Sequence, residues 1–335
     1  MKAPCQEIFS LLRSTIYGTT GVKINHRDTD KKLSQLHQPD FHTLWKKDNL
    51  LAVAVYCKRT ITIRDEEVDA FYIRYFSVSD QYQNQGLGKE LTEKIEAHYL
   101  KTVSRKTVFY AYIEKKNLRS IGVSKHFNVN VIGEMKTIFF SRFFPKKNRN
   151  CRIAKPSELE YLKIELQKLY GGHTNTTFNR VGYEDSYYVY VKDDEIIAGL
   201  QLINTKWKIF SLPGLMGWIS LRLFPMIPIL NRVADGKNMK FSGVEAIYYR
   251  ESEEDKVLSL LEHALAEAGN YKAFIYLDIQ DNLFRKMSIQ KDLGFMNKVQ
   301  NSPSVKIIHQ SLHLSEEDES YLASSPKYVS AFDVT

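Results

Sequence analysis

The strongest constraint on this chain is that it writes one order of elements twice. Residues 46–52 (Lys-Lys-Asp-Asn-Leu-Leu-Ala) match residues 192–198 (Lys-Asp-Asp-Glu-Ile-Ile-Ala) at an offset of 146. Thr107 to Asn117 match Lys272 to Asn282 at an offset of 165. The 19-residue difference is the net length of extra chain in the second copy, and segment 207–236 is the part without a counterpart. In the first copy, EIFSLLRSTI reads as an amphipathic helix and FHTLWKKDNLLAVAVYCKR as two strands about a polar turn. A strand over 69–78, a helix from Leu87 with apolar Leu91, Ile95 and Tyr99, a strand over 107–113 and a short helix over 117–127 follow. VIGEMKTIFFSRFF is expected to close this copy as its last strand. The second copy repeats the plan with strands at YYVYVKDDEIIAGLQLI and 243–250, a helix over 256–269 and a strand over 272–279. LFRKMSIQKDLGF is expected as one helix and SVKIIHQSLHL as the last strand. The fold class is therefore α/β, with two tandem domains.

The expected domains are 1–148 and 149–314, with a polar tail over 315–335 that is either disordered or docked. The start, MKAPCQEIFSLLRS, has no apolar h-region, so secretion is not expected. Cys5, Cys57 and Cys151 are too widely spaced for a metal motif or a disulfide framework, which fits a reducing cytoplasm. Charge divides the chain unevenly. Residues 1–150 carry 26 Lys and Arg against 15 Asp and Glu, whereas the rest carries 21 against 24. The basic half points to an anionic partner, or simply to a solvated basic surface. No nucleic-acid motif accompanies the charge, so no nucleic-acid partner is expected.

The motif that carries chemistry follows the third strand: Phe76-Ser-Val-Ser-Asp-Gln-Tyr-Gln-Asn-Gln-Gly-Leu-Gly88-Lys-Glu-Leu. A strand runs through Gln83-x-x-Gly86-x-Gly88 into a helix, a turn in which glycine lets backbone approach a ligand. The unpaired N–H groups at the helix start and the helix dipole then favour a phosphate. A Walker loop is absent, and a dinucleotide-type loop requires its glycines after the first strand.

On these residues the chain resembles the GNAT superfamily of acyl-CoA-dependent N-acyltransferases. Its arm is Gln/Arg-x-x-Gly-x-Gly/Ala between strand and helix. The resemblance implies two tandem GNAT-like domains, each a mostly antiparallel sheet flanked by helices, with acetyl-CoA or another acyl-CoA as co-substrate. It implies pyrophosphate binding by Gln83, Asn84, Gln85, Gly86, Leu87, Gly88 and Lys89, and acyl and pantetheine binding by the backbone of Phe76 and Val78. Asn117 matches the family's asparagine ahead of the next helix; the Gly-Phe place after that helix reads Asn128-Val129. In the second copy Gly294-Phe295 matches, yet Glu251-Ser-Glu-Glu-Asp255 stands where the arm belongs. Acidic side chains there would repel a pyrophosphate, so only the first copy is expected to bind the cofactor.

Proton transfer is less well marked. The family's strand glutamate falls on Tyr72 and its helix tyrosine on Ser124. Tyr72, Ser124 and His126 are the catalytic candidates, with Glu114 nearby. The resemblance implies an amine acceptor attacked directly in a ternary complex. The alternative is a non-catalytic acyl-CoA-binding or membrane-associated protein. Segment 207–230 is apolar but broken by Pro213, Pro225, Pro228 and Arg222. Three roles are open for it: core packing, a channel for an apolar acyl chain or acceptor, or a surface docking on a membrane through Trp207 and Trp218. The expected location is cytoplasmic, with a peripheral membrane contact if the third role holds.

Overall fold

The computed structural model describes residues 3–18, 21–127, 129–300 and 302–335. In chain order the elements are α1 (Gln6–Ser14), β1 (Lys23–His26), α2 (Thr29–Ser34), β2 (Pro39–Lys46), β3 (Asn49–Ile63) and β4 (Glu66–Val78). Next come α3 (Leu87–Thr102), β5 (Thr107–Glu114), α4 (Leu118–Lys125), β6 (Asn130–Ser141), β7 (Cys151–Ile153) and α5 (Leu159–Leu169). Then follow β8 (Tyr187–Lys192), β9 (Glu195–Ser211), α6 (Gly214–Arg222), α7 (Pro228–Val233), β10 (Asn238–Tyr249) and α8 (Asp255–Ala268). The chain ends with β11 (Lys272–Asp278), α9 (Asn282–Ser288), α10 (Phe295–Val299), β12 (Val305–Leu312), α11 (Glu316–Ser324) and α12 (Ala331–Val334).

These elements make two compact units: Met1–Glu134 with Ser304–Ser324, and Met135–Pro303 with Ser325–Thr335. In the first, the strand order is β2-β3-β4-β5-β12. Only β4 and β5 pair in parallel; their neighbours run antiparallel. One face of this sheet packs Ile8 and Leu12 of α1 against Val53, Val55, Tyr72 and Tyr110. The other packs Leu91, Ile95 and Tyr99 of α3 against Ala52, Ala54, Phe71 and Phe109. The spacing of those α3 residues puts them on one helix face, which is why that face is buried.

The second unit repeats the plan with the order β6-β11-β10-β9-β8-β7 and a single parallel pair, β10 with β11. Helix α8 covers one face through Val257, Leu260, Leu261, Ala264 and Leu265. Each unit is thus a mostly antiparallel sheet flanked by helices.

Two details differ from the sequence reading, and a third point that it left open is answered. The strand at 130–141 does not close the first sheet: β6 pairs along β11, Lys272 with Ser141 through Asp278 with Met135. The place beside β5 is taken by β12, Val305 with Glu114 through Leu312 with Thr107. Both segments read simply as strands, and nothing in either names its partner, so the usual preference for pairing with a sequence neighbour is overridden. Second, LFRKMSIQKDLGF is not one helix. Helix α9 stops at Ser288, and at Gly294 the chain takes a φ of +92°, so close to β6 that a Cβ would lie 2.0 Å from the Ser141 carbonyl oxygen. Of the two alternatives for the tail, the docked one is found. Leu322 of α11 is buried, and Tyr328, Val329, Ala331 and Phe332 are buried in the second unit. Its acidic opening, Ser-Glu-Glu-Asp-Glu, concealed these apolar anchors.

Candidate functional site

The site in the first unit is built by an irregularity in β4. Val53 of β3 faces Ser77, but Val55 faces Arg74, so β4 spends one extra residue there as a bulge. Tyr75 within it holds a φ of +53°, a conformation a bulky residue adopts only under constraint. The parallel pairing of β4 with β5 ends at Tyr72 and Tyr110, although β4 runs on to Val78 and β5 to Glu114. The carboxyl ends of two parallel strands therefore diverge, the position at which open α/β sheets take ligands. Phe76 and Val78 carry the backbone along this opening, and their side chains join the core under α3.

The arm then turns from strand to helix. Ser79 donates its N–H to the Leu51 carbonyl at 2.8 Å, tying the turn to β3. Gln83 donates to Asp80 at 2.6 Å and accepts from Arg119 at 2.8 Å, which fixes the side chain and brings a guanidinium to the arm. Asn84 and Gly86 are left-handed, with φ of +62° and +80°. Gly86 is the N-cap of α3, and a Cβ added to it would meet nothing within 4 Å. The space above the turn is open, and the first-turn N–H groups of Leu87, Gly88 and Lys89 have no intrahelical acceptors. Gly88 sits against the side chains of Phe76 and Val123. Lys89 is half exposed and 3.8 Å from Glu93, an exposed pairing weak enough to be exchanged for a ligand charge. An anion fits this cradle: the first-turn donors and the helix dipole face open space, and Lys89 and Arg119 belong to the arm and its neighbour.

The structure engages the remaining candidates separately. Asn117 is the N-cap of α4 and accepts from the Ser120 N–H at 3.2 Å. Ser124 donates to the Ile121 carbonyl at 2.9 Å, a helix-internal bond. His126 is exposed at the end of α4. Asn128 lies outside the described residues. Tyr72 is buried in a tyrosine cluster, 5.4 Å between ring centres from both Tyr110 and Tyr112, with the Arg59 guanidinium 5.2 Å from its ring centre. Glu114 is the last residue of β5, two places beyond Tyr112 and so on the same sheet face. Desolvation holds its carboxyl above the usual range.

On that face the fold also gathers residues that the sequence did not single out. The rings of Tyr17, His26 and Tyr75 lie 4.9, 6.1 and 6.4 Å apart. Arg74 stacks over Tyr75 at 4.5 Å. Burial, with the charges of Arg74 and Lys32, drives the His26 imidazole down to about 3, so it is neutral at physiological pH. The Tyr17 hydroxyl is buried beside Ser77 and the Tyr75 hydroxyl beside Arg74, with the Asp28 carboxylate also buried. The result is a cluster of polar groups buried beside the β4 bulge. No spacing signals it, because the β4 bulge and the segment between α1 and α2 meet only in the fold.

The second unit has the same opening, closed. Gln201 faces Glu245 and Gly199 faces Tyr248, so β10 carries a matching bulge, with Ala246 at a φ of +50°. Its parallel pairing with β11 stops at Val244 and Ile275. Here the chain's own segment 325–335 occupies the opening. Ala246 donates its N–H to the Tyr328 hydroxyl at 3.0 Å, and Glu245 accepts from the Ser330 hydroxyl at 2.6 Å and the Phe332 N–H at 3.1 Å. At the arm position, Glu253, Glu254 and Asp255 stand at the start of α8 and pair with Lys192, Lys286 and Lys256.

Residues 7–128 match the acetyltransferase (GNAT) family. A search of the curated proteins finds no match. Among solved structures the chain is similar to Saccharomyces cerevisiae N-myristoyltransferase with bound myristoyl-CoA: 11% identity, TM-score 0.56, covering 91% of this chain and 79% of that one. A structure of the same yeast enzyme with myristoyl-CoA and inhibitors gives 11% identity, a TM-score of 0.58, and coverage of 91% and 76%. A GCN5-related N-acetyltransferase from Anabaena variabilis gives 9%, 0.52, and coverage of 92% and 71%. At such identities the likeness is one of fold, and it extends over both units. The family match falls on the unit with the open cradle, and the likeness of fold reaches beyond it: residues 7–128 of this chain match the acetyltransferase (GNAT) family, and both units share the fold of these transferases.

Proposed function

We propose that the first unit binds one acyl-CoA and transfers its acyl group to an amine. The observation that carries this reading is the bulged β4 diverging from β5 and leading directly into the open, left-handed Gly86 turn. In this reading the pyrophosphate lies on the N–H groups between Gln83 and Lys89, assisted by Arg119 and Lys89. The pantetheine enters the opening beside Phe76 to Val78. The amine nitrogen attacks the thioester carbonyl carbon, and the carbonyl oxygen takes up charge that a backbone N–H of this segment stabilises. The C–S bond breaks, the thiolate leaves and is protonated, and the nitrogen gives up its proton, leaving an amide and free CoA. Positioning both substrates in one opening supplies much of the acceleration.

We assign the proton-accepting role to Glu114. It shares the sheet face of Tyr72 and of the Tyr17, His26 and Tyr75 cluster, where the acceptor would approach. Its raised pKa makes it a better base than an ordinary carboxylate. Ser124, already donating within its helix, and exposed His126 are less well placed for it. Three free thiols support a reducing, cytoplasmic setting.

The test is a calorimetric titration of the full chain with CoA, acetyl-CoA and myristoyl-CoA, followed by an amine screen read as release of free CoA thiol. One-to-one binding and amine-dependent release are expected, and the tighter of the two thioesters sets the acyl class. No binding by any of the three overturns the reading; binding without release on any amine reduces it to an acyl-CoA binder. In a competent pair, Glu114→Gln lowers kcat about 100-fold and removes the acid limb of the pH–rate profile. Because the Glu114 pKa is raised, that limb in the parent lies nearer neutrality than for a free glutamate, and activity falls as pH drops through it.

A further inference from the structure

The second unit carries a surface built the wrong way round for water. Helix α6 turns its small residues, Gly217 and Ser220, inward and its large apolar ones outward. Leu215 is 74% exposed, Trp218 54% and, just beyond, Met226 77%. Of the nineteen large apolar side chains exposed among the described residues, eight fall between Phe210 and Ile229. Gly217 explains why the helix is held in this orientation: a Cβ there would lie 2.6 Å from the Leu212 carbonyl, so the bulky faces point away from the sheet. Trp207, by contrast, is partly buried and packs against Phe241 at 4.7 Å between ring centres. Phe144, 61% exposed, extends the patch and is held by Arg232 stacked 4.6 Å from its ring centre.

The charges around the patch are of one sign. Between residues 196 and 244 there are six Lys and Arg and one acid, Asp235. That acid is engaged inward by Lys272 and by the Lys240 N–H, so it offsets little of the outward charge. Exposed patches this apolar mark interaction sites. Among the described residues, no helix is long and apolar enough to cross a membrane.

We propose that α6, α7 and the turn between them dock the protein on an anionic membrane surface, lying in the plane of the interface. Trp218, Leu215, Met226, Ile227 and Ile229 enter the acyl boundary, and Lys206, Lys208, Arg222 and Arg232 meet the headgroups. A second copy of the chain is disfavoured as the occupant, because it would set these cations against themselves. The inference does not depend on acyl transfer and is measured without acyl-CoA, so either reading can fail alone.

The experiment is co-flotation of the full chain with vesicles of phosphatidylcholine containing about a quarter phosphatidylglycerol, compared with phosphatidylcholine alone. Binding to the anionic vesicles is expected, with about tenfold weaker partition to the neutral ones or at high salt. Trp218→Ser combined with Met226→Ser is expected to lower partition about tenfold. Lys206→Glu with Lys208→Glu removes the preference for anionic lipid through a separate term. All four side chains are at least partly exposed, and circular dichroism confirms that each variant is folded. Absence of binding to anionic vesicles, binding indifferent to both variants, or lipid-free dimerisation that the apolar variant abolishes would each overturn the proposal.

Discussion

The two units carry one device in two states. Each has a strand with a bulge (Tyr75 in β4, Ala246 in β10), a parallel partner that stops pairing just before it, and a helix that starts beyond. In the first unit the turn into that helix is glycine with open space above it. In the second, three acids stand at the helix start and the opening is filled by segment 325–335. The lesson is that the bulged opening is a property of the fold, whereas ligand binding is a property of what lies in it. An opening given glycine and cations is available to an anion; one given acids and a peptide segment has its exposed backbone groups satisfied internally and serves stability instead.

That contrast can be broken from either side. The largest effect is expected at the arm. Gly86→Glu adds bulk and negative charge at a left-handed position and should weaken acyl-CoA binding about 100-fold or more, read by calorimetry, while the backbone strain lowers stability by only about 1–2 kcal/mol in urea unfolding. A variant that binds as the parent does would place the cofactor elsewhere. In the second unit the expectation inverts. Glu245→Ala strands the Ser330 hydroxyl and the Phe332 N–H in a buried place and should cost about 2–4 kcal/mol by urea unfolding, with acyl-CoA affinity within about twofold of the parent. If Glu245→Ala instead abolishes acyl-CoA binding, the two openings are not separate in function.

Near neutral pH, two smaller effects test the same comparison. His26 is depressed from 6.5 to about 3. Its contribution to stability is whole above pH 6.5 and is lost as pH falls toward 3, at about 1.4 kcal/mol per pH unit. His26→Phe should therefore flatten the acid limb of stability across that window. An unchanged limb would mean that His26 is already solvated. Smallest of all, Tyr328→Phe leaves the Ala246 N–H without its acceptor and should cost about 1–2 kcal/mol, again without touching acyl-CoA binding.

Much of this was legible in the residues. The turns at Lys46 to Asn49 and Lys192 to Glu195, the burial of Leu91, Ile95 and Tyr99 at helical spacing, and the glycine arm between a strand and a helix are all local signals. They appear where expected because period and turn chemistry act over a few residues. What was not legible is long-range. Nothing in β6 or β12 says which sheet takes it, and nothing in Ser-Glu-Glu-Asp-Glu says that the chain beyond it will be buried in the second opening. The cluster of Tyr17, His26, Asp28, Tyr75 and Ser77 is spread over sixty residues and has no pattern to read.

The tandem α/β plan, the GNAT likeness and the place of the glycine turn could be read from the residues alone, since each rests on periodicity, glycine and charge within short windows. Only the tertiary structure decided which strand completes which sheet, which opening stays open, and that the apolar insert shows its large side chains rather than burying them. Those outcomes depend on contacts between residues far apart in the chain, where many pairings satisfy the local pattern equally and packing selects one.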